Sequence, residues 1–301
     1  MNLYHYIGSK VHQVMATIYP KYEMRRFYYG VFKEYPDLEN PTNLIEIIYW
    51  LQLHSDTTMW TKCADKYRMR EYVKDCGLEG YLPQLYGKWD NPEDIDFSQL
   101  PNELVFKANN GCGTVKIIKD LKTVDKRALV KEMKKWISTK YGYPGAQLHY
   151  LKIHPCIIAE QLLHQDEKLN SYSPHSMVDF KVWCINGQPE SVLITYNRNR
   201  NHHDLDLFSL SWERLSHYLN FNGSFGYTEN ALPKPNCLEE LLRVASILAK
   251  PFPEVRTDFY IVDNKPVIGE LTFTAGYGNL TKEYYSYLGS LIDLSRVPKI
   301  K

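Results

Sequence analysis

Runs of apolar residues predict the secondary structure of this chain: the longer runs predict helices, and short β-branched and aromatic runs predict strands. The run Asn43–Leu53, entered from Pro41-Thr42, is the clearest helix, and residues 1–61 as a whole are predicted to be helical. Further helices are predicted at 66–76, where Asp65 caps the start and Gly77 closes the end, and at 123–139, 236–250 and 281–292. Short β-branched and aromatic runs predict strands at 103–108, 115–118, 156–163, 178–185 and 191–196.

The order of these elements indicates the fold class. Helices come first, then a strand–loop–strand unit, then a mixed sheet in which Asn186-Gly187 is the strongest hairpin signal. Residues 197–233 are polar and aromatic and are interpreted as irregular. This order predicts an α+β protein with at least two lobes.

A second hairpin is predicted near the C-terminus, where two short strands flank the turn signal Asp263-Asn264-Lys265-Pro266. Directly opposed residues of a hairpin point to the same side of the sheet. A three-residue loop, Asp263–Lys265, pairs Val262 with Pro266, and this register places Asp258 opposite Glu270. A two-residue loop would put the two acids on opposite faces, so their meeting depends on the odd loop.

The three-residue loop gathers two carboxylates, an arginine and a hydroxyl on one face, because Arg256 then lies opposite Thr272. Acids among apolar neighbours repel each other and lose hydration, so they need a compensating cation. Hard oxygen ligands of this kind suit Mg²⁺. The alternative is an exposed hairpin with scattered acids.

Composition excludes several classes of function. The formal net charge of +1 gives no global bias toward nucleic acid. No window approaches the roughly 20 apolar residues of a membrane span, and the start of the chain lacks the apolar core of a signal peptide. The six cysteines show no CxxC pairing, which indicates reduced thiols in a cytoplasm rather than disulfides or a zinc site.

A glycine-bearing loop, Asn109–Thr114, follows the strand at 103–108. Its glycines permit backbone N–H groups to turn inward as a nest for phosphate oxygens, and Lys107 just before it adds a point charge. The spacing matches neither a Walker A motif nor a dinucleotide fingerprint, so a simple hairpin loop remains the alternative.

Three other motifs have rival interpretations. Asp204-Leu-Asp206 matches the Asp-x-Asp pattern of metal-dependent glycosyltransferases, although Asp94-Ile-Asp96 repeats it. His202-His203-Asp204 is weighed as a transition-metal site against a solvated loop. The basic and aromatic residues of Lys21–Lys33 are typical of a membrane-surface helix or of a helix packed on its own lobe.

Several motifs follow one another along the chain: Asp65-Lys66-Tyr…Arg70-Glu-Tyr-Val, Lys107 before the glycine loop, Ala159-Glu160-Gln-Leu-Leu163, Asp179-Phe-Lys181 and Arg256-x-Asp258…Gly269-Glu270-Leu-Thr-Phe. In this order they resemble one known architecture, the ATP-grasp superfamily. More narrowly, residues 40–290 are similar to the TupA-like ATP-grasp proteins of teichuronopeptide and capsular polysaccharide biosynthesis.

This resemblance implies an ATP-grasp fold, with two α+β lobes gripping ATP and a helical N-terminal region. The implied segments are the helical region 1–61, the N-terminal part of the core 62–102, a lobe with the phosphate loop 103–165, and a C-terminal lobe with the metal site 166–301.

The resemblance also implies site residues. The nucleotide phosphates fall to Lys66, Lys107 and the loop residues Asn110, Gly111, Gly113 and Thr114, the adenine edge to Glu160, Gln161, Leu162 and Leu163, and the ribose to Asp179. Lys181, on the same strand face as Asp179, would also lie within reach of phosphate. The Mg²⁺ ligands would be Asp258, Glu270 and Thr272, with Arg256 and Lys181 in catalysis. Many ATP-grasp enzymes have Asn where Thr272 stands, but a hydroxyl is still a hard oxygen ligand. Arg198 and Arg200 are predicted to grip an acidic substrate, with a solvated loop as the alternative.

The implied activity is an ATP- and Mg²⁺-dependent carboxylate–amine ligation that forms an amide through an acyl phosphate. Its implied substrate is a uronic acid of a bacterial surface polysaccharide or its precursor, joined to an amino acid or amine. An ATP-grasp kinase acting on a small molecule or sugar, and a glycosyltransferase using Asp204 and Asp206, remain alternatives. The predicted partners are a small-molecule or saccharide carboxylate and an amine, without nucleic acid. The predicted location is the cytoplasm, with peripheral contact to the inner face of the membrane through Lys21–Lys33.

Overall fold

A computed structural model of the 301-residue chain describes residues 3–199, 202–221, 225–226, 231–275 and 277–300. The chain forms two compact units that alternate along the sequence. The first comprises Met1–Pro36, Thr57–Tyr72 and Pro83–Leu163, and the second comprises Asp37–Asp56, Val73–Leu82 and His164–Lys301.

Helices and strands of the described residues are as follows. The α-helices are α1 (Leu3–Ile18), α2 (Pro20–Phe32), α3 (Leu44–His54), α4 (Thr58–Ala64), α5 (Met69–Asp75), α6 (Lys126–Ser138), α7 (Glu167–Tyr172), α8 (Leu238–Ala249) and α9 (Lys282–Ser290). The strands are β1 (Leu85–Trp89), β2 (Leu104–Ala108), β3 (Val115–Ile118), β4 (Ile157–Glu160), β5 (Asp179–Ile185), β6 (Gln188–Tyr196), β7 (His203–Phe208), β8 (Phe225–Gly226), β9 (Glu254–Val262) and β10 (Lys265–Thr272). Short 3₁₀ helices cover 79–81, 92–94, 97–99, 121–123, 150–152, 216–218 and 294–296.

The first unit is built on a four-stranded antiparallel sheet in the order β1–β4–β2–β3. Helix α6 begins where the Asp125 side chain accepts hydrogen bonds from the first turn. Leu129 and Met133, one helical turn apart, are buried in one cluster with Phe106 of β2 and Ile157 of β4. Because β2 and β4 are antiparallel neighbours, Glu160 at the end of β4 lies opposite Val105, two residues before Lys107 of β2.

Helices α1 and α2 pack against each other within the first unit, as expected from the helical pattern at the N-terminus. Pro20 stands at the first turn of α2, where its missing N–H costs no hydrogen bond. Lys33 ends the helix in the left-handed region at a φ of 60°. No helix among the described residues is both long and apolar enough to cross a membrane.

The second unit is built on a six-stranded sheet in the order β10–β9–β5–β6–β7–β8, antiparallel except for the short β7–β8 pair. Helix α8 lies on β9, β5 and β6, with Leu241, Val244, Ala245 and Leu248 buried at helical spacing. The predicted β5–β6 turn is confirmed, since Asn186 and Gly187 have φ angles of 49° and 77°. Helices combined with these two sheets confirm the α+β class.

The prediction that residues 197–233 are irregular is wrong for β7. This strand pairs with β6 from Asp204 to Phe208, and its polar positions Asp204 and Asp206 are buried. Asp206 is neutralised by Arg214, whose Nε donates to Asp206 Oδ1 at 2.8 Å. An acid paired in this way behaves as a core residue, so the alternation of acids with leucines was a strand pattern.

Candidate active site

The C-terminal hairpin has a shorter turn than predicted. Strands β9 and β10 are joined by two residues, Asp263 and Asn264, whose φ angles of 49° and 57° belong to the tight turn that matches strand twist. Val262 therefore pairs with Lys265, and the predicted three-residue loop is wrong.

A β-bulge restores the predicted pairing farther along the same hairpin. The register shifts by one residue between Ile268 and Glu270, so that Glu270 lies opposite Asp258 and Thr272 opposite Arg256. A shift of one residue moves every following side chain to the other face. The predicted pairs are confirmed, with a bulge beside Gly269 in place of a third loop residue.

The burial of apolar side chains explains why the extra residue of β10 lies in a bulge and not in the turn. In the observed register Ile268 lies opposite Phe259, and both side chains are buried. A three-residue loop without a bulge would have put Gly269 opposite Phe259 and buried less apolar surface. Ile268 and Leu271 are both buried although they stand three residues apart, whereas a regular strand repeats every two. That spacing was the available signal for the bulge.

Charged side chains from neighbouring strands meet around Asp258. Lys181 of β5 and Glu270 of β10 both lie opposite Asp258 of β9. Asp258 Oδ1 accepts a hydrogen bond from Arg256 Nε at 2.7 Å, and Oδ2 accepts from Arg256 Nη2 at 2.7 Å and from Lys181 Nζ at 2.7 Å. Lys181 Nζ also donates to Asp179 Oδ2 at 2.5 Å. The second unit thus gathers the predicted catalytic, ribose and metal residues in one cluster.

Burial governs the electrostatics of this cluster. Burial raises the pKa of the Asp258 carboxyl, and the Arg256 guanidinium and Lys181 ammonium offset only part of that effect. Burial alone would lower the pKa of Arg256, but Asp258, Glu270 and Asp179 hold that pKa above its ordinary value. Arg256 therefore stays charged, and the Asp258 carboxylate is stabilised by any further cation placed beside it.

The donor atoms at the base of the hairpin fit a hard divalent cation. Asp258 and Glu270 present carboxylates at one level of the sheet, and Thr272 adds a hydroxyl that lies 3.5 Å from Arg256 Nη2. No group of three or more His, Cys, Asp or Glu side chains with metal-site geometry occurs among the described residues.

The first unit forms the glycine-bearing loop where it was predicted, between β2 and β3. Gly111 and Gly113 have φ angles of 68° and 80°, which favour glycine. A Cβ on Gly111 would lie 2.4 Å from the Tyr141 ring. The loop is closed by the Ala108 N–H, which donates to the Thr114 carbonyl at 3.1 Å.

Lys66 is held at the same loop. Its Nζ donates to the Gly111 carbonyl at 2.6 Å, and its backbone N–H donates to the Asn109 carbonyl at 2.9 Å. Asp65 caps the turn that carries Lys66, since its Oδ1 accepts from the Tyr67 N–H at 2.9 Å. The predicted helix at 66–76 is shorter than expected, because residues 66–68 form this turn and α5 begins at Met69.

At the C-terminal end of β4 the buried carboxylate of Glu160 forms an ion triad with two partly buried cations, Lys107 and Arg70. Glu160 Oε2 accepts a hydrogen bond from Lys107 Nζ at 2.8 Å, and Oε1 accepts from Arg70 Nη1 at 2.9 Å. The Glu160 carboxylate is thus engaged with two cations. Beyond it the chain leaves the sheet, and the Gln161 N–H donates to the Gln84 carbonyl at 2.9 Å. Arg70 belongs to the motif that carries the resemblance, yet no role was assigned to it.

Arg198, predicted to grip an acidic substrate, lies beside the charged cluster of the second unit. Its Nη2 is 3.5 Å from Asp179 Oδ2, and its side chain is 52% exposed. Arg200, the second predicted substrate residue, lies outside the described residues.

The Asp-x-Asp motif on β7 does not form a metal site in the described structure. Asp204 accepts hydrogen bonds from Asn197 Nδ2 at 3.0 Å and pairs with His202 Nε2 at 3.0 Å. Asp206 is fully buried and is bonded by Arg214 and Ser216. Both carboxylates serve local structure, so the geometry does not favour the glycosyltransferase interpretation.

Comparison with known proteins gives the chain a family. A family model described as TupA-like ATPgrasp matches residues 46–293. The chain is similar in structure to a D-alanine–D-alanine ligase from Bacillus anthracis, with a TM-score of 0.50 and 15% identity, covering 79% of this chain and 68% of that one. It is also similar to an L-amino acid ligase from Bacillus licheniformis, with a TM-score of 0.41 and 18% identity, covering 74% of this chain and 45% of that one. No protein of curated function matches the sequence.

At such low sequence identities, similarity to a solved structure is evidence for the fold alone. The D-alanine–D-alanine ligase supports the predicted ATP-grasp fold. The family match extends from α3 to the end of α9 and includes both the ion triad and the hairpin with its bulge. The chain therefore belongs to the TupA-like ATP-grasp family.

Proposed function

We propose that this protein is an ATP- and Mg²⁺-dependent carboxylate–amine ligase that forms an amide through an acyl phosphate. One observation carries the proposal: Asp258 and Glu270 lie directly opposite each other, with Arg256 and Lys181 bonded to Asp258. This is the combination of hard oxygen donors and fixed cations that phosphoryl transfer requires, since the reaction spreads negative charge over phosphate oxygens.

The residues of the first unit would bind the nucleotide. Lys66 and Lys107 would hold phosphate oxygens, together with backbone N–H groups of Asn110–Thr114. Because the Glu160 carboxylate is engaged with Arg70 and Lys107, we assign the adenine edge to the backbone of Glu160–Leu163. Cys112 is exposed and adjoins Tyr141, and the mechanism does not require its thiol.

The residues of the second unit would hold the ribose, the metal and the developing charge. Asp179 is assigned to the ribose, and Asp258, Glu270 and Thr272 to Mg²⁺, which when bound supplies Lewis-acid stabilisation of phosphate oxygens. Arg256 is fixed by two hydrogen bonds to Asp258, so its guanidinium is preorganised to stabilise charge on the transferred phosphoryl group. Lys181 would assist it.

The proposed chemistry has two steps. A substrate carboxylate oxygen bonds to the γ-phosphorus of ATP while the bond to ADP breaks, which gives an acyl phosphate. An amine then bonds to the acyl carbon, phosphate leaves, and the amine proton passes to solvent. Neither step needs a side-chain nucleophile. For the substrate we propose a uronic acid of a bacterial surface polysaccharide or its precursor, supported by the family resemblance, with Arg198 and Arg200 as its carboxylate clamp.

Activity measurements test this proposal. The protein is incubated with ATP, Mg²⁺, a uronic acid and a panel of amines, and ADP release and product mass are recorded. A ligase gives an amide only when the amine is present. A stable phosphorylated product with or without amine would identify a kinase on the same scaffold. Normal ATP binding without nucleotide turnover on any acid would count against both.

We also propose that α2 docks the protein on the inner face of an anionic membrane. Lys21, Arg25 and Lys33 are exposed. The one acid within α2, Glu23, is buried and bonded by Arg26. Tyr22 and Tyr29 are 56% and 45% exposed on this helix. Cations around half-exposed aromatic side chains complement anionic lipid headgroups and the interface beneath them.

A further inference from the structure

Arg70 makes contacts in the first unit that no assigned role explains. Its Nη1 donates to Glu160 Oε1 at 2.9 Å, and its Nη2 donates to the Pro83 carbonyl at 2.6 Å. The two bonds fix the guanidinium at both ends. The side chain is only 16% exposed, so this is a built contact rather than a surface ion pair.

Glu160 needs more than one cation where it lies. It is the last residue of β4, and its neighbours across the sheet are Leu85 of β1 and Val105 of β2. A carboxylate buried between apolar neighbours is stable only when it is paired and hydrogen-bonded. Lys107 alone would supply one bond, to Oε2, and Arg70 supplies the bond to Oε1.

The charge of the triad decides how Lys107 can act. With Arg70 present, two cations share one carboxylate, and the triad keeps one net positive charge. Without Arg70, Lys107 and Glu160 would form a neutral pair, and the lysine would be held more tightly by its only partner. An ammonium group has three N–H donors, so a lysine that shares its carboxylate with Arg70 can turn donors and net charge toward a phosphate.

The same short segment carries Lys66 and Arg70. Asp65 caps the turn at Lys66, and α5 starts three residues later. Lys66 contacts the glycine-bearing loop after β2, whereas Arg70 contacts the end of β4. Arg70 therefore links the segment that bears Lys66 to β4, the strand that pairs with the Lys107-bearing strand β2.

We propose that Arg70 is a positioning residue for nucleotide phosphate, which acts by sharing the Glu160 carboxylate so that Lys107 remains available. This inference rests on the proposed ATP-dependent function.

Binding of two nucleotide probes to matched variants tests the inference. AMP-PNP with Mg²⁺ carries the phosphates, and adenosine lacks them. Wild-type protein is measured first, and failure to bind AMP-PNP would overturn the proposed function itself. In Arg70→Met we expect the Kd for AMP-PNP to rise about tenfold, a change of about 1.4 kcal/mol, while the Kd for adenosine stays within a factor of two. Arg68→Met, an exposed arginine two residues away, is the matched control and should bind both probes normally.

Two further variants separate charge sharing from a role in folding alone. In the double variant Arg70→Met/Glu160→Gln no carboxylate traps Lys107, so AMP-PNP affinity should recover to within about threefold of wild type. Arg70→Lys keeps the shared charge but loses the guanidinium bond to Pro83, and it should also retain most of the affinity. Equal weakening of both probes in Arg70→Met, no rescue by Glu160→Gln, or loss of AMP-PNP affinity in Arg70→Lys would overturn the inference.

Discussion

The Asp258 carboxylate accepts three charged hydrogen bonds while it is almost completely buried. A carboxylate in such a position is costly unless every partner remains in place. The same group is the proposed metal ligand, so a bound cation would have to be accommodated among Arg256 and Lys181. Function and stability therefore depend on one side chain, and its replacement tests both.

Replacing Asp258 by asparagine should remove activity. The amide keeps the size of the side chain but not its charge, so Arg256 and Lys181 lose their anionic partner and the proposed metal site loses a carboxylate. We expect Mg²⁺-dependent ATP turnover to fall at least about a hundredfold, consistent with the loss of electrostatic stabilisation worth about 2.7 kcal/mol or more. Turnover is measured by ADP release at saturating ATP. Asp263→Asn in the turn of the same hairpin is the control, and activity of Asp258→Asn near that of the control would contradict the assignment.

A buried histidine of the first unit should make the stability depend on pH. His149 is fully buried beside Trp60 and Tyr150, and burial lowers the pKa of its imidazole to about 3. The unfolded chain takes up a proton near pH 6.5 and the folded chain does not, so stability is lost as the pH falls from about 6.5 toward 3. The free energy of unfolding should decrease by about 1.4 kcal/mol per pH unit from this group.

Denaturant unfolding of the wild type and His149→Phe between pH 7 and pH 5 measures this contribution. The phenylalanine variant keeps an aromatic ring in the same place and cannot be protonated. Its stability should fall less steeply with acid than that of the wild type. Parallel slopes would show that His149 takes up its proton in the folded state.

Residue types and their order predicted most residues of the proposed site, but not the side chain that pairs with Glu160 from outside it, Arg70. Asp258 and Glu270 were expected to meet, and they do. Arg70 was overlooked because its role follows from the position of Glu160 on an inner strand between Leu85 and Val105. The neighbours of a strand residue are set by strand order, which a single sequence does not reveal.

At the scale of elements, turn chemistry and burial decided the course of the β9–β10 hairpin. Asp263 and Asn264 tolerate positive φ and favour a two-residue turn. Ile268 and Leu271 both require burial, which the bulge allows. Helices α3 and α6 and the β5–β6 hairpin were predictable because one local signal dominated each. Strand β7 was not, since its acids acquire partners only in the folded chain.

Crowding beside the bulge gives a test of its role. A Cβ added to Gly269 would lie 3.2 Å from the Asp258 carbonyl oxygen and 3.3 Å from the Tyr260 ring. Gly269→Ile should therefore push β10 away from β9 next to the carboxylate pair. We expect the free energy of unfolding to fall by about 1–3 kcal/mol. We expect activity to fall by a larger factor than in a control variant of the same strand, Val267→Ile.

Val267→Ile, two residues earlier on β10 and half-buried, serves as that control. Thermal unfolding gives the stability of both variants, and ADP release gives their activity. If Gly269→Ile matches Val267→Ile in both measurements, the close approach at the bulge has no importance for the site.

At the scale of the whole molecule, the net charge is close to zero, but one surface carries several exposed cations. The chain has a net charge of +1, yet α2 exposes Lys21 and Arg25 beside Tyr22. Val14 and Ile18 of α1, which packs against α2, are 52% and 61% exposed. This surface combines cations with apolar side chains, as expected for peripheral contact with anionic lipid.

Vesicle sedimentation tests the proposed docking. The triple charge reversal Lys21→Glu/Arg25→Glu/Lys33→Glu should weaken binding to vesicles that contain phosphatidylserine at least about tenfold, because each basic residue near the surface contributes about 1 kcal/mol. Wild-type binding should also decrease as salt rises. The control carries the same change in net charge on the exposed residues Arg127, Lys131 and Lys135 of α6. Equal binding by the two triple variants would refute a specific surface on α2.

Because of the bulge at Gly269, the length of the β9–β10 turn does not by itself decide which residues pair at the base of the hairpin. An odd number of residues separates Asp258 from Glu270, and the odd residue can occupy either the bulge or the turn while the two acids stay opposite each other. An insertion in the turn or a deletion of Gly269 would leave that pairing intact. Chains that keep both acids but differ by one residue between them can therefore build the same base of the hairpin, and alignment gaps there need not signal a lost site.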